Sequence, residues 1–431
     1  MASGTAARRR GTRSVGPLAY AVADVEWSEP LPTIALAPHE SGVGLLVRRG
    51  GRPALFVLEA LRPGERLGPG EIRALVAAHG GVPDGQSPPP LPSSTPGPAI
   101  TVVVCTRSRV GLLRECLQSI LRAIDREGTA ISPIEVLVVD NAPDDTSTRD
   151  LVAGVDGVRY ALEPLPGLDF ARNRAVAEAT GTFLAFVDDD AVVDHGWLPA
   201  LRDTLARNPD AAAVTGLIVA RELATEAQIV FERRGGLRKG FSTVRYEGDR
   251  HDGNVLFPCG VGLFGAGCNM VVRRDAVLRL GGFDDALDTG PPLPSGGDLD
   301  MFYRVLRFAG PLIYEPSMLV FHKHRADLPG LRRQYWNWGR GFAAFAHKTI
   351  RRDPPMRRRM LRTMVWWLGY MRHEIRRSAR RGSGVRVDLP LAELVGGLVG
   401  MTLTYPRSVA RSARIRRGAS AAVPRGARSV D

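Results

Sequence analysis

Three adjacent aspartates, Asp188, Asp189 and Asp190, directly follow the apolar run FLAFV. Three like charges side by side repel one another, and a bound cation offsets that repulsion. Carboxylates are hard oxygen ligands that suit Mg2+ or Mn2+. Two other apolar runs also end in polar clusters. Residues 100–105 lead into Thr106-Arg107-Ser108-Arg109, and residues 134–139 lead into Asp140-Asn141. Arginine neutralises phosphate oxygens. Together these are the parts of a diphosphate site with a divalent cation. The plainer reading of the triplet, a solvated acidic turn, fits less well because the triplet ends a buried run.

A second acidic pair, Asp298 and Asp300, lies in SGGDLDMFYRVLR, ahead of the helical pattern Leu299, Phe302, Val305 and Leu306. Asp298 there reads either as a helix cap or as a proton acceptor. The elements that must position these groups alternate in type. A continuous β-branched run at 100–105 and strand-like stretches at 134–139, 158–161, 182–187 and 211–219 predict strands, and helical patterns fall at 110–124, 169–179 and 197–207. That alternation predicts an α/β fold with a single mostly parallel sheet flanked by helices. Ligands of such sheets bind beyond the carboxyl ends of the strands, where the polar clusters fall. No GxGxxG follows the first strand and no Walker A motif occurs, so a glycine-rich phosphate loop is not the holding device.

The chain has 431 residues, 44% of them apolar and 24% charged, enough for two or three domains. Residues 1–15 read as a disordered basic start and 16–80 as a small α+β accessory domain. Residues 81–98, PDGQSPPPLPSSTPGP at their centre, read as a linker. A catalytic domain is expected over 99–330, a helical basic region over 331–415 and a disordered tail over 416–431. The formal net charge of +13 is uneven. Residues 340–431 carry 21 Lys or Arg against 5 Asp or Glu, leaving 37 basic and 40 acidic residues elsewhere. Such a field attracts anionic lipid, nucleic acid or an anionic glycan, or simply solubilises the tail. The four cysteines form no CxxC pair and favour a reducing compartment. The start lacks an apolar signal core, and the longest apolar stretch, 389–405, is short and interrupted for a spanning helix. An interfacial or buried helix fits it better. The expectation is a cytoplasmic protein, peripheral on the cytoplasmic face of a membrane.

The stretches ITVVVCTRSRVGLLRECLQSI, EVLVVDNAPDD, GLDFARNRAVAEATGTFLAFVDDDAVVDHGWL, GAGCNMVVRRDAVLRLGGFDD, GGDLDMFYRVLRFAG and VFHKHR span residues 100–324. In type and order they resemble glycosyltransferase family 2, the large inverting family of GT-A fold. The resemblance implies a nucleoside diphosphate sugar donor and an Mn2+ or Mg2+ cofactor. It implies that Thr106, Arg107, Asp140, Arg172, Asn173, Asp188 and Asp189 bind the nucleotide sugar, Asp140 through the base. Asp190, with Asp188 and His322, would hold the metal. Asp298 would be the general base, with Gly267, Asn269, Asp300 and Trp336 on the acceptor side. The family usually has Glu-Asp where this chain has Gly297-Asp298. Trp336, in RRQYWNWGRGF, lacks the arginine-tryptophan pair of processive members, so polymer synthesis is not implied.

The implied reaction is inverting transfer of the sugar to an acceptor hydroxyl, on a lipid-linked or glycan acceptor. A sugar-phosphate nucleotidyltransferase is the first rival, weakened by the missing glycine-rich loop. An inactive nucleotide-sugar or glycan-binding module is the second, favoured by Gly297. A nucleic-acid partner ranks last, because no recognised nucleic-acid fold accompanies the basic end. Val365, Trp366, Trp367 and Leu368 between arginines suit an anionic membrane surface.

Overall fold

The computed structural model describes residues 19–82, 97–127, 134–248, 254, 256–380 and 386–422. The basic start at 1–15, most of the expected linker and the end of the tail lie outside the described residues. The first unit holds β1 (Ala19–Glu26), β2 (Ile34–Ala35), β3 (Glu40–Arg49), β4 (Arg52–Ala60), β5 (Arg66–Leu67) and α1 (Pro69–Ala78). β1, β3 and β4 form one sheet, and β2 pairs with β5. The β3–β4 hairpin turns on Gly50 and Gly51, both with positive φ, as a tight primed turn requires.

The large sheet is built from β6 (Ile100–Thr106), β7 (Ile134–Asn141), β8 (Val158–Glu163), β9 (Phe183–Val187), β10 (Ala191–Val193), β11 (Ala213–Ala220), β12 (Val244–Tyr246), β13 (Asn269–Arg273) and β14 (Leu312–His322). Its order is β10-β14-β11-β13-β9-β6-β7-β8, with β12 on β14. The expected parallel pattern holds from β9 through β6 and β7 to β8. Beyond β9 the sheet is mixed, because β13 inserts antiparallel to both β9 and β11. Helices α2 (Val110–Glu127), α3 (Ser147–Ala153), α4 (Leu168–Glu178), α5 (Trp197–Arg207), α6 (Glu226–Arg233), α7 (Arg274–Arg279) and α8 (Gly297–Phe308) connect the strands. α2 buries Leu113, Cys116, Leu117 and Ile120, one turn apart or less, against β6 and β9.

The first unit docks on this sheet. Leu46 and Phe56 share a buried cluster with Leu217, Val219 and Leu319. Arg48 is buried between Asp24 and Asp194, with Nη2 2.7 Å from a carboxylate oxygen of each. At the other end, α9 (Leu328–Arg352), α10 (Arg357–Ala379), α11 (Asp388–Gly400) and α12 (Thr404–Ala422) wrap the catalytic unit. The helical region thus begins before 331 and continues past 416. Part of the expected disordered tail is helix, held by Ser412 and Arg416 on Asp285. α9 and α11 approach closely because Gly339, Gly396 and Gly400 leave room for the facing backbone. Among the described residues no helix is long and apolar enough to cross a membrane.

Candidate active site

The aspartate triplet leaves the end of β9 and turns into β10. Asp189 is buried, and its carboxylate accepts from Thr106 Oγ1 at 2.7 Å and from Arg109 Nη1 at 3.1 Å. Thr106 and Asp189 were expected to touch the nucleotide. They instead satisfy each other and latch the end of β6 to the end of β9. Asp190 lies 3.0 Å from His322 Nε2 at the end of β14, and 3.4 Å from Arg109. Burial works against its charge, but His322 and Arg109 hold it down to about 2. Asp188 is half-buried; its backbone carbonyl accepts from the Ala191 N–H and Cys116 Sγ, while its carboxylate makes no hydrogen bond or ion pair among the described residues. Burial, then the charge of Asp190, pushes it up to about 6. For His322 burial opposes the proton, yet Asp190 and Asp188 outweigh it and raise the ring's pKa.

Ligand atoms of Asp188, His322 and Cys268 lie within 4.8 Å of one another. Carboxylate and imidazole fit Mn2+ or Mg2+ chemistry, and the unpaired Asp188 beside Asp190 is a carboxylate that a cation would stabilise. The Cys268 thiol is soft, and burial pushes its pKa well up, so it stands beside Asp188 and His322 as a neutral thiol.

At the end of β7, Asp140 is fully buried. Tyr160 donates to its Oδ2 at 3.0 Å, while Oδ1 has no partner. An unmet buried acceptor is costly unless a ligand donor reaches it. Arg107 is exposed at the rim, 3.6 Å from Asp144. Arg172 is buried in α4. Its Nη1 sits 2.9 Å from Asp169 and 3.6 Å from Asp288, and its charge reaches Asp188 and Asp298. Asn173, expected beside the nucleotide, instead exchanges two hydrogen bonds with the backbone of Phe283. Both ends of its amide are spent on holding that loop.

Asp298 lies in the first turn of α8, behind the left-handed Gly296 that caps the helix. It is therefore not the cap residue. Its Oδ2 accepts from the Gly267 backbone N–H at 3.1 Å and its Oδ1 from Leu299 at 2.8 Å. Gly267 is needed there, because a Cβ would stand 2.6 Å from Arg172 Nη2. The departure at Gly297 has a local cause. A Cβ there would meet Asp169 Oδ2 at 2.1 Å, so the Asp169 carboxylate fills the space a side chain at 297 would need. Asp169 Oδ2 is itself buried without a partner, and burial pushes Asp169 well up.

Two acceptor-side expectations are corrected. Asn269 is fully buried. Its Nδ2 donates to Leu217 and Met318 carbonyls and its Oδ1 accepts from Trp197 Nε1, so it pins the sheet and faces no acceptor. Asp300 is buried between Arg304 at 2.6 Å and Lys348 at 2.7 Å, clamping α8 to α9. Trp336 is half-buried on α9, with its backbone carbonyl against Gly396 of α11. Arg109, read from sequence with Arg107 as a phosphate-side arginine, bridges Asp189 and Asp190. One contributor was not singled out from sequence. Asp169 carried no signal, since only the fold brings it to Gly297.

A cation-competent carboxylate cluster and an unmet buried acceptor at strand ends of one sheet, with a second aspartate at a helix start, define a glycosyltransferase domain of GT-A type. Residues 101–281 match Glycosyl transferase family 2. The succinoglycan biosynthesis protein ExoM of Rhizobium meliloti is 30% identical over 249 residues, covering 56% of this chain and 72% of that protein. The chain belongs to glycosyltransferase family 2. The pre-mycofactocin glycosyltransferase of Mycobacterium tuberculosis is 27% identical over 243 residues, 56% of this chain and 46% of that protein. A glucosyl-dolichyl phosphate glucuronosyltransferase of Haloferax volcanii is 28% identical over 195 residues, 43% of this chain and 56% of its own length. The chain thus spans about half the length of these last two relatives.

Proposed function

We propose that the chain transfers a sugar, with inversion, from a nucleoside diphosphate sugar to an acceptor hydroxyl. The observation that carries this is the cluster of Asp188 and His322, with Asp190 3.0 Å from His322, beside a buried Arg172 whose charge reaches both Asp188 and Asp298. Asp140 accepts from the base through its free Oδ1. Arg107 and Arg109 are placed for phosphate at the rim. Asp188, Asp190 and His322 would hold Mn2+ or Mg2+, which supplies charge stabilisation for the departing diphosphate. Asp298, oriented by the Gly267 N–H, takes the acceptor proton. The oxygen attacks the anomeric carbon opposite the leaving group. In an Asp298→Asn variant, calorimetry should find donor binding intact while transfer falls by about 10²–10⁴-fold. Loss of both would assign Asp298 to the donor site.

The acceptor is lipid-linked or a glycan, a reading supported by two relatives' names, glucosyl-dolichyl phosphate glucuronosyltransferase and succinoglycan biosynthesis protein. A membrane contact on the cytoplasmic side is part of it. α11 exposes Leu391, Val395 and Leu398, and α10 exposes Val365 and Trp366 between the exposed Arg358, Arg362 and Arg372. Apolar residues with arginine flanks suit an anionic lipid surface. The four free thiols suit a reducing compartment. Flotation with phosphatidylserine vesicles should carry the protein upward, and failure to float would remove the membrane from the proposal.

A further inference from the structure

Behind His322 the polar contacts continue into the core. His322 Nδ1 lies 3.4 Å from His324 Nδ1, and His324 Nε2 lies 2.7 Å from Glu232 Oε1 on α6. His324 and Glu232 are buried, with 5% and 2% exposure, so neither group is there for solvent. Arg238 pairs with the other carboxylate oxygen of Glu232, and its guanidinium covers Phe56 of β4 at 4.4 Å. Gly236 lies against the same carboxylate, where a Cβ would come within 2.7 Å of Glu232 Oε1. The ring of His324 is wedged by the edge of Phe231 at 4.6 Å, and its backbone carbonyl accepts from Gln228.

Donor and acceptor matching along this row leaves one arrangement for a neutral His324. The Glu232 carboxylate only accepts, so His324 Nε2 carries the proton. A neutral imidazole then has a lone pair on Nδ1. The facing Nδ1 of His322 must supply the hydrogen. That leaves His322 Nε2 on the side of Asp190, 3.0 Å away, and of Asp188. A second proton on His324 would add a buried cation beside a carboxylate already paired with Arg238.

We infer that His324 and Glu232 are positioning residues, which fix His322 in the tautomer and ring orientation that present Nε2 to the cation site. The inference rests on the cation-site reading of the proposed function. It also gives the first unit a part in the site, because Phe56 packs on the Arg238 that holds Glu232. A carboxylate behind a ligating histidine sets its tautomer in many metal sites. Here a second imidazole stands between the two.

The test compares Mn2+ binding by the full-length protein, read from the electron paramagnetic resonance of free Mn2+, in wild type, His324→Phe and His324→Gln. His324→Phe should bind about 10–100-fold more weakly while keeping the wild-type circular dichroism. His324→Gln, whose carbonyl still accepts from His322 Nδ1, should recover part of the loss. Equal affinity in wild type and folded His324→Phe would overturn the inference. No Mn2+ binding by wild type would instead overturn the cation-site reading. Imidazole nitrogen spectra of the metal-free wild type examine the same row without a variant. A proton on Nε2 of His324 and on Nδ1 of His322 is expected, and a proton on Nδ1 of His324 overturns the chain.

Discussion

Replacing Gly297 by alanine tests whether Asp169 truly occupies the space beside Asp298. The added Cβ would lie 2.1 Å from Asp169 Oδ2 and 2.7 Å from its Cγ. Ordinary contact needs more than an ångström beyond the shorter distance. Asp169 is fully buried and held 2.9 Å from the equally buried Arg172, so it has nowhere to move without loosening that pair. Overpacking alone costs about 1–3 kcal/mol. Breaking the buried pair raises the figure to about 3–5 kcal/mol. In Asp169→Ala the obstruction is gone, and Gly297→Ala on that background should cost under about 1 kcal/mol, close to an ordinary helix substitution. Urea denaturation of the four proteins gives a double-mutant cycle, and a coupling of about 2–5 kcal/mol is expected from the difference between the two backgrounds. Additive costs would refute the reasoning, since they would mean that the new methyl group and the Asp169 carboxylate do not meet.

Other expectations follow from single contacts. Arg48→Met strands the buried Asp194 and should cost about 3–5 kcal/mol in urea denaturation; a loss under about 0.5 kcal/mol would contradict the docking. Asp140→Ala removes the unmet acceptor at the base and should weaken donor binding by about 1–3 kcal/mol in calorimetry with little change in Mn2+ affinity. Glu393 is pushed by burial from 4.5 up to about 7. Its folded form holds the proton longer than its unfolded form, so stability should fall as pH rises from about 4.5 to about 7. Glu393→Gln should flatten that part of the stability–pH profile, and an unchanged profile would count against the burial of this carboxylate.

The parallel half of the sheet was legible because β6, β7 and β9 are short apolar runs, each ending in the polar residues that mark the ligand side. The triplet at 188–190 was legible for the same reason. What sequence could not supply were pairings across long separations. Asn269 sits in a glycine-rich stretch that resembles an acceptor-side loop. Its amide is instead received by the carbonyls of β11 and β14, beside Gly216, where a Cβ would stand 2.3 Å from Asn269 Nδ2. Thr106 and Asp189 look like two independent ligands until the fold brings them into a mutual hydrogen bond. His324 lies two residues from His322 and reads as an alternate position on a strand end. Only the packing of α6 places Glu232 behind it. Gly297 looked like a lost carboxylate, and the space is filled by a residue more than a hundred positions earlier in the chain.

Asp188, Asp190 and His322 are expected to join a divalent cation to a nucleotide-sugar diphosphate. The most direct measurement is the thermal shift of wild type and Asp190→Asn against a panel of nucleoside diphosphate sugars with Mn2+. At least one donor should stabilise wild type strongly and Asp190→Asn much less, and withdrawing Mn2+ should erase the difference. If no donor stabilises wild type more than Asp190→Asn, the claim is contradicted.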